Sequence, residues 1–124
     1  MELIIGGAYQ GKKAYAATKL GVLAFHECAC DATRLDFQEP AYAHLERFAL
    51  ACVRAQVSPV AYFQAHRDEW VHCVIIADDI SAGVVPIDPE MRAWREETGR
   101  LLAYLAGEAR HVHRVFCGIG QVIK

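Results

Sequence analysis

Residues 2–20 read ELIIGGAYQGKKAYAATKL, and the expected fold follows from this segment. Residues 2–5 form a short apolar run that ends in two glycines, which is typical of a buried parallel strand. Residues 12–20 are good helix formers, and Gly21 is suited to capping the end of that helix. The segment therefore predicts a strand, a glycine-rich loop and a helix in direct succession.

The loop matches the phosphate-binding pattern G-x-x-x-x-G-K, because Gly6, Gly11 and Lys12 occupy its three defined positions. In such a loop the backbone N–H groups and the positive end of the helix dipole hold a polyphosphate, and the lysine adds a charge. The alternative is a strand-to-helix turn without a ligand. We expect an anion site for ATP or GTP formed by Gly6, Gly7, Ala8, Tyr9, Gln10, Gly11, Lys12 and Lys13.

The pattern departs from a complete phosphate loop at Lys13. A Ser or Thr at this position normally coordinates the magnesium ion that bridges the β- and γ-phosphates. A protonated lysine cannot coordinate a metal, but it places a second positive charge beside the phosphates. The loop is therefore compatible with binding without magnesium, and the need for that ion stays open.

The composition restricts the class of protein. A chain of 124 residues provides one core, so residues 1–124 are expected to form a single nucleotide-binding domain. The formal net charge of -2 argues against a broad electrostatic contact with nucleic acid. The sequence has no apolar run long enough to span a membrane and no signal-peptide pattern, and its five cysteines are irregularly spaced. These features predict a cytoplasmic protein with reduced thiols and no membrane span.

Periodicity and turn residues predict the elements of the rest of the chain. We expect a strand at residues 22–30, a helix at 40–56, a short helix from Pro59, a strand at 71–77, a helix from 88 to about 109 and strands at 112–117 and 121–123. Strands that alternate with helices predict an α/β fold in which helices cover both faces of a parallel or mostly parallel sheet.

Two further groups of side chains have the chemistry of a metal site. Asp78 and Asp79 follow the strand at residues 71–77, where carboxylates can hold magnesium through water, although a solvated strand end is the alternative. His26, Cys28 and Cys30 would share one face of a strand at residues 22–30. Their C-x-C spacing is tighter than that of structural zinc sites, so buried, reduced cysteines are favoured there.

The loop and the C-terminal third together resemble the adenosylcobinamide kinase / adenosylcobinamide-phosphate guanylyltransferase family of cobalamin biosynthesis. That family has a Gly-Gly phosphate loop after its first strand and, in its last third, an Asn-Glu-Val-Gly segment, a Gly-Ile-Val-Pro turn, an Ala-Gly-Arg step and a closing Gly-Ile-Gly. The corresponding stretches here are Asp78-Asp79-Ile80-Ser81, Gly83-Val84-Val85-Pro86, Thr98-Gly99-Arg100 and Gly118-Ile119-Gly120.

The resemblance implies a phosphate-loop NTPase-like three-layer sandwich with a mostly parallel sheet, assembled as a homo-oligomer, with a nucleoside triphosphate and a corrinoid as ligands. Full-length members are longer in the middle, where they carry a histidine that takes up a guanylyl group. His44 is the candidate for that role, with a helix-surface histidine as the alternative. The resemblance further implies that Lys12 stabilises the transferred charge and that Asp79 positions water or metal.

Two functions remain open at this point. One is a short, diverged enzyme that transfers a phosphoryl or guanylyl group to a corrinoid. The other is a non-catalytic nucleotide-binding or regulatory protein that has kept the anion site and lost the metal and histidine chemistry.

Overall fold

The computed structural model describes residues 1–81 and 86–124. Its elements in chain order are β1 (Glu2–Gly6), α1 (Lys12–Leu20), β2 (His26–Glu27), β3 (Ala41–Ala43), α2 (Leu45–Arg54), α3 (Pro59–Ala65), α4 (Arg67–Trp70), β4 (Val74–Asp78), α5 (Pro89–Glu108), β5 (His111–Phe116) and β6 (Ile119–Val122). Of the turn Gly83-Val84-Val85-Pro86, only Pro86 belongs to the described residues. None of the described helices is long and apolar enough to cross a membrane.

The strands form one six-stranded sheet in the order β2-β3-β4-β1-β5-β6. Every neighbouring pair is parallel except β5 and β6, which are antiparallel, so the prediction of a mostly parallel sheet is confirmed. Strand β1 lies between β4 and β5, and Leu3 and Ile4 are fully buried. A central strand is covered on both faces, which explains its continuous apolar run.

Helices cover both faces of the sheet and produce three layers. On one face, Leu3 and Ile75 of the sheet belong to a core with Phe48 of α2, Phe63 of α3 and Leu101 of α5. On the other face, a smaller core joins residues of the sheet to Ala16 of α1. The expected three-layer α/β architecture is therefore confirmed.

The ends of α1 and α5 also agree with the sequence. Helix α1 spans Lys12–Leu20, and Gly21 caps it in the left-handed region with φ 69°. The Asp88 carboxylate accepts a hydrogen bond from the Glu90 N–H group, and Pro89 occupies the first turn of α5. The capping residues of both helices act on the backbone next to them, so contacts with distant parts of the chain do not shift these helix ends.

The predicted helix at residues 40–56 is wrong at its start, because Ala41–Ala43 forms strand β3 and α2 begins only at Leu45. All three residues of β3 are buried, and the strand pairs in parallel with β4. Pro40 lies just before the strand, where a missing N–H group costs little, and its carbonyl accepts from the Val74 N–H group. A proline before an apolar run fits both a strand and a helix, and tertiary pairing selects the strand.

The predicted strand at residues 22–30 is much shorter than expected, since only His26 and Glu27 form β2. Val22 and Cys28 are buried, whereas Leu23 is 91% exposed, so strict alternation does not extend through the segment. Strand β2 lies at the edge of the sheet and pairs only with β3, itself three residues long. A short partner cannot support a longer strand.

Candidate phosphate-binding site

The glycine pattern explains only part of the backbone conformation of the loop between β1 and α1. A Cβ atom at Gly6 would lie 2.4 Å from the Val115 carbonyl oxygen, so no other residue fits there without displacing β5. Gly11 has φ 87° and Tyr9 has φ 59°. Left-handed residues that alternate with right-handed ones turn successive N–H groups toward a common point, which is the geometry of an anion-binding nest.

The N–H groups of this loop are free to bind a ligand. Within residues 1–81 and 86–124, no backbone N–H group of residues 7–14 donates a hydrogen bond. Tyr15 is the first residue of α1 whose backbone N–H group donates a hydrogen bond, and the acceptor is the Gly11 carbonyl oxygen at 2.9 Å.

The loop is held in place through Gln10. Its backbone oxygen accepts from the Gly118 N–H group at 2.7 Å, and its Oε1 atom accepts from the Cys117 N–H group at 2.6 Å. Cys117 therefore lies beside the loop. Because these contacts use acceptors of the loop, they leave its N–H donors unused.

These donors border a cavity of about 400 Å³, within the range of small-molecule sites. The cavity is lined by Ala8, Tyr9, Gln10, Gly11, Lys12, Lys13, Ala14, Ala43, His44, Arg47, Ile76 and Asp78. It lies at the carboxyl ends of β1, β3 and β4, the edge where α/β sheets bind ligands. The structure therefore brings most of the predicted loop residues together with side chains from β4 and from the start of α2.

Both loop lysines are paired with carboxylates. The Lys12 Nζ atom is buried, lies 2.7 Å from Asp78 Oδ1 and donates to the Gly7 carbonyl oxygen at 2.6 Å. Lys13 pairs with Glu27 of β2 at the surface. Arg47 lines the same cavity and has no carboxylate partner in the described part of the chain.

The two adjacent aspartates lie in different surroundings. Asp78 lines the cavity, whereas Asp79 does not. The Asp79 carboxylate accepts hydrogen bonds from the Ser81 hydroxyl at 2.5 Å and from the Ser81 N–H group at 2.9 Å, which lower the pKa of Asp79. Asp78 ends β4 and lines the cavity, whereas Asp79 follows the strand and bonds to Ser81, so the two aspartates do not act as a pair.

His44 also lines the cavity, although sequence periodicity placed it on the surface of a helix. It precedes α2 in the left-handed region with φ 59°, and its ring lies among three carboxylates. The Nδ1 atom is 3.4 Å from Glu46 Oε1 and 3.8 Å from Asp78 Oδ2. The Nε2 atom is 3.5 Å from Glu27 Oε2.

Glu46 is a site residue that the sequence interpretation missed. It lies in the first turn of α2 and is 4% exposed. Its Oε1 atom accepts from the Asp78 N–H group at 3.0 Å, while its Oε2 atom is buried without a hydrogen-bond partner. Burial raises the pKa of Glu46, and the nearby negative charge of Asp78 acts in the same direction.

Glu46 and Arg47 were missed for the same reason. In a helix that starts at Pro40, both lie in the second turn, away from the ends of the strands. In the helix that starts at Leu45, both lie in the first turn, at the carboxyl edge of the sheet. The apolar triplet Ala41–Ala43 before His44 is the sequence signal that could have identified this arrangement.

The fold and the loop define a phosphate-loop NTPase-like α/β protein. The family model for cobinamide kinase / cobinamide phosphate guanyltransferase matches residues 42–123, which is more than half of the chain. The chain therefore belongs to this family, and membership supports a nucleotide-binding or transfer function related to cobalamin biosynthesis. The matched range begins after the glycine loop, so the assignment does not depend on that motif. The search of the curated proteins found no match.

Magnesium normally accompanies nucleotide transfer, but the residues present do not fit it well. Lys13 stands at the position of the coordinating hydroxyl, and no residue of the glycine loop supplies another oxygen ligand from its side chain apart from Tyr9 and Gln10, whose Oε1 atom already accepts from the Cys117 N–H group. The nearest group with ligand spacing, formed by His44, Glu46 and Asp78, includes an imidazole nitrogen. Magnesium prefers oxygen donors in octahedral geometry, so this group does not suit the ion.

Proposed function

We propose that this protein binds ATP or GTP through the triphosphate at residues 6–13 and transfers a phosphoryl or guanylyl group to a cobinamide-type corrinoid. The observation that carries the proposal is the run of unbonded N–H groups at residues 7–14 beside a cavity. Membership of a family of cobinamide kinases and guanyltransferases supports the choice of substrate.

Lys12 is the residue that would stabilise the transferred charge. Its ammonium contacts Asp78, and a phosphate oxygen would replace that carboxylate. Arg47, which also lines the cavity, would supply a second cation. The proposal assigns Asp78, rather than the expected Asp79, as the carboxylate that exchanges with the phosphates.

The phosphoryl-transfer step forms a bond between a hydroxyl oxygen of the corrinoid and the γ-phosphorus. The bond from the γ-phosphorus to the bridging oxygen breaks, a nucleoside diphosphate leaves, and the hydroxyl proton passes to water. Because the transition state of such transfers is loose, the protein lowers the barrier mainly by positioning the reactants and by stabilising charge. In guanylyl transfer a phosphate oxygen would attack the α-phosphorus of GTP, and pyrophosphate would leave.

The covalent role of His44 in guanylyl transfer stays a prediction, as does assembly into a homo-oligomer. His44 lines the cavity, as that role requires, but both of its ring nitrogens face carboxylates. A nucleophilic nitrogen must also reach the α-phosphorus, and neighbouring negative charges oppose the approach of a triphosphate.

The second candidate function is binding of a nucleotide without catalysis. It is favoured by Lys13, which occupies the position of the metal-coordinating hydroxyl and pairs with Glu27. A loop with this residue keeps the N–H donors and positive charges that bind a polyphosphate, but it lacks the usual metal ligand.

One experiment separates these functions. Protein is incubated with cobinamide and with ATP or GTP labelled at the γ- or α-phosphate, and both nucleotide binding and transfer of label are measured. Binding with transfer supports the leading proposal, whereas binding without transfer supports the second candidate. Absence of binding would contradict both. Lys12→Ala should weaken binding at least about tenfold, as for loss of a charge-assisted hydrogen bond, and Lys19→Ala, at an exposed lysine in the last turn of the same helix, is the matched control.

A further inference from the structure

Three side chains near the ends of β3 and β4 are spaced like the ligands of a metal ion. His44, Glu46 and Asp78 each offer one ligand atom, and these atoms lie within 4.8 Å of one another. The group depends on the fold, because His44 follows β3, Glu46 lies in the first turn of α2 and Asp78 ends β4.

A second observation points to a cation at this group. The Glu46 carboxylate is nine-tenths buried, and its Oε2 atom has no hydrogen-bond partner. Its other oxygen, Oε1, lies 3.4 Å from His44 Nδ1, so the carboxylate faces the cluster. A buried carboxylate oxygen without a partner costs free energy, and a bound cation would remove that cost.

The surroundings of His44 favour a metal at one particular ring nitrogen. Glu27 Oε2 lies 3.5 Å from Nε2, where it can accept a hydrogen bond from a protonated Nε2. This arrangement leaves the Nδ1 lone pair directed at Glu46 and Asp78. A carboxylate behind a histidine is the common second shell of metal-ligating histidines, because it sets the tautomer and the ring orientation.

We propose that His44, Glu46 and Asp78 bind a divalent transition-metal ion of the Zn²⁺ type in preference to Mg²⁺. One imidazole nitrogen and two carboxylate oxygens suit such an ion, and water or a ligand oxygen completes its coordination. The site differs from a magnesium site built on a loop hydroxyl, because it uses no residue of the glycine loop.

The position of Lys12 is consistent with such an ion. Its ammonium contacts Asp78 Oδ1, while Oδ2 of the same carboxylate lies toward His44. The two oxygens can therefore serve the lysine and the ion separately. The ion site does not require a bound nucleotide, so it stands or falls independently of the proposed function. As a metal ligand, His44 would not be free to accept a guanylyl group.

The test is a titration of the protein with Zn²⁺ alone in competition with a chromogenic chelator, repeated with Mg²⁺. We expect one Zn²⁺ per chain at this site and no competition from millimolar Mg²⁺. His44→Asn and Glu46→Gln should each weaken Zn²⁺ binding at least about tenfold. Substitution of a residue that only supports a metal ligand already lowers metal affinity about ten- to hundredfold, and loss of a ligand should cost at least as much. Asn tolerates the left-handed backbone of His44, and Gln retains an acceptor for the Asp78 N–H group.

Matched controls are His72→Asn and Glu96→Gln, both at exposed positions, which should leave binding unchanged. Cys30→Ser and Cys117→Ser report any binding of Zn²⁺ by accessible thiols. Equal Zn²⁺ affinity in wild type, His44→Asn and Glu46→Gln would overturn the proposal, as would loss of binding only in the cysteine variants. If the site variants do not fold, the wild-type protein decides: Zn²⁺ must shift the ¹⁵N resonance of His44 Nδ1, and an unchanged resonance rejects the site.

Discussion

The Lys12 Nζ atom lies 2.7 Å from Asp78 Oδ1. Lys12 begins α1, which follows β1, and Asp78 ends β4, the strand that pairs with β1, so a carboxylate from the neighbouring strand neutralises the lysine of the phosphate loop. Lys12 is 7% exposed, and its charge is therefore only weakly screened by water. A phosphate that enters the loop must compete with this carboxylate. The ion pair thus connects the stability of the free protein to its affinity for anions.

Asp78→Asn should increase nucleotide affinity and decrease stability. Removal of the competing charge should tighten ATP or GTP binding about three- to tenfold, as expected for a partly exposed pair. The free energy of unfolding should fall by about 1–3 kcal/mol, because Lys12 keeps a buried charge without its partner. Calorimetric titration and urea unfolding measure the two effects. Asp79→Asn is the control and should leave affinity within about twofold; a larger effect there than at Asp78 would contradict the geometry.

Lys13→Ser restores the hydroxyl that normally coordinates magnesium. In the wild-type protein we expect the same nucleotide affinity with and without millimolar Mg²⁺, because Lys13 occupies the ligand position and pairs with Glu27. In the variant, Mg²⁺ should tighten binding. Titrations with and without the ion, using Lys19→Ser as a control, show whether the hydroxyl is the missing element. A wild-type protein that already depends strongly on Mg²⁺ would refute this prediction.

Gly120→Ala should destabilise the fold, because a Cβ atom there would lie 1.9 Å from the Tyr15 ring. Tyr15 would have to move and lose its hydrogen bond to His113 Nδ1 at 2.9 Å. We expect a loss of about 1–3 kcal/mol in urea unfolding, as for overpacked cores. Gly99→Ala is the control: nothing lies within 4 Å of the new atom, and a helical alanine should stabilise α5 by about 0.5–1 kcal/mol. Equal effects at both positions would show that Tyr15 does not occupy this place.

Stability should fall in alkaline solution because of buried thiols. Burial raises the pKa of Cys28 from 9.0 to about 12 and that of Cys52 from 9.0 to about 11. Above pH 9 these thiols ionise in the unfolded chain but stay protonated in the folded one, so rising pH favours unfolding. Urea unfolding at pH 8 and pH 10 should differ by about 1–3 kcal/mol. Cys52→Ala should reduce the difference and Cys117→Ala, at an exposed thiol, should not; a difference of the opposite sign would contradict the burial.

The parts of the fold that were predictable are those with local signals. The glycines around the phosphate loop, the caps Gly21 and Asp88 and the apolar run of β4 act through the backbone of their own segment. The bounds of α1 and α5 follow the sequence closely, whereas β4 begins at Val74 and not at residue 71. The mostly parallel pairing of the sheet also follows, since strands that alternate with helices favour parallel neighbours.

The parts that could not be predicted depend on distant partners. Residues 41–43 are a strand because β4 lies beside them, and no property of the triplet itself requires this. The start of α2 then places His44, Glu46 and Arg47 at the cavity, whereas periodicity alone put His44 on a helix surface. Asp78 and Asp79 were adjacent candidates in the sequence, and their different partners, Lys12 for Asp78 and Ser81 for Asp79, separate their roles.

The central claim is that the main-chain donors of residues 7–14, together with Lys12, bind a polyphosphate. It is tested most directly by following the backbone ¹⁵N–H resonances during titration with inorganic tripolyphosphate, in the wild-type protein and in Lys12→Ala. We predict saturable shifts concentrated at residues 7–14 of the wild type, and at least about tenfold weaker binding in the variant, as for loss of a charge-assisted hydrogen bond. Resonances of the loop that do not respond, or equal affinity in Lys12→Ala, would contradict the claim.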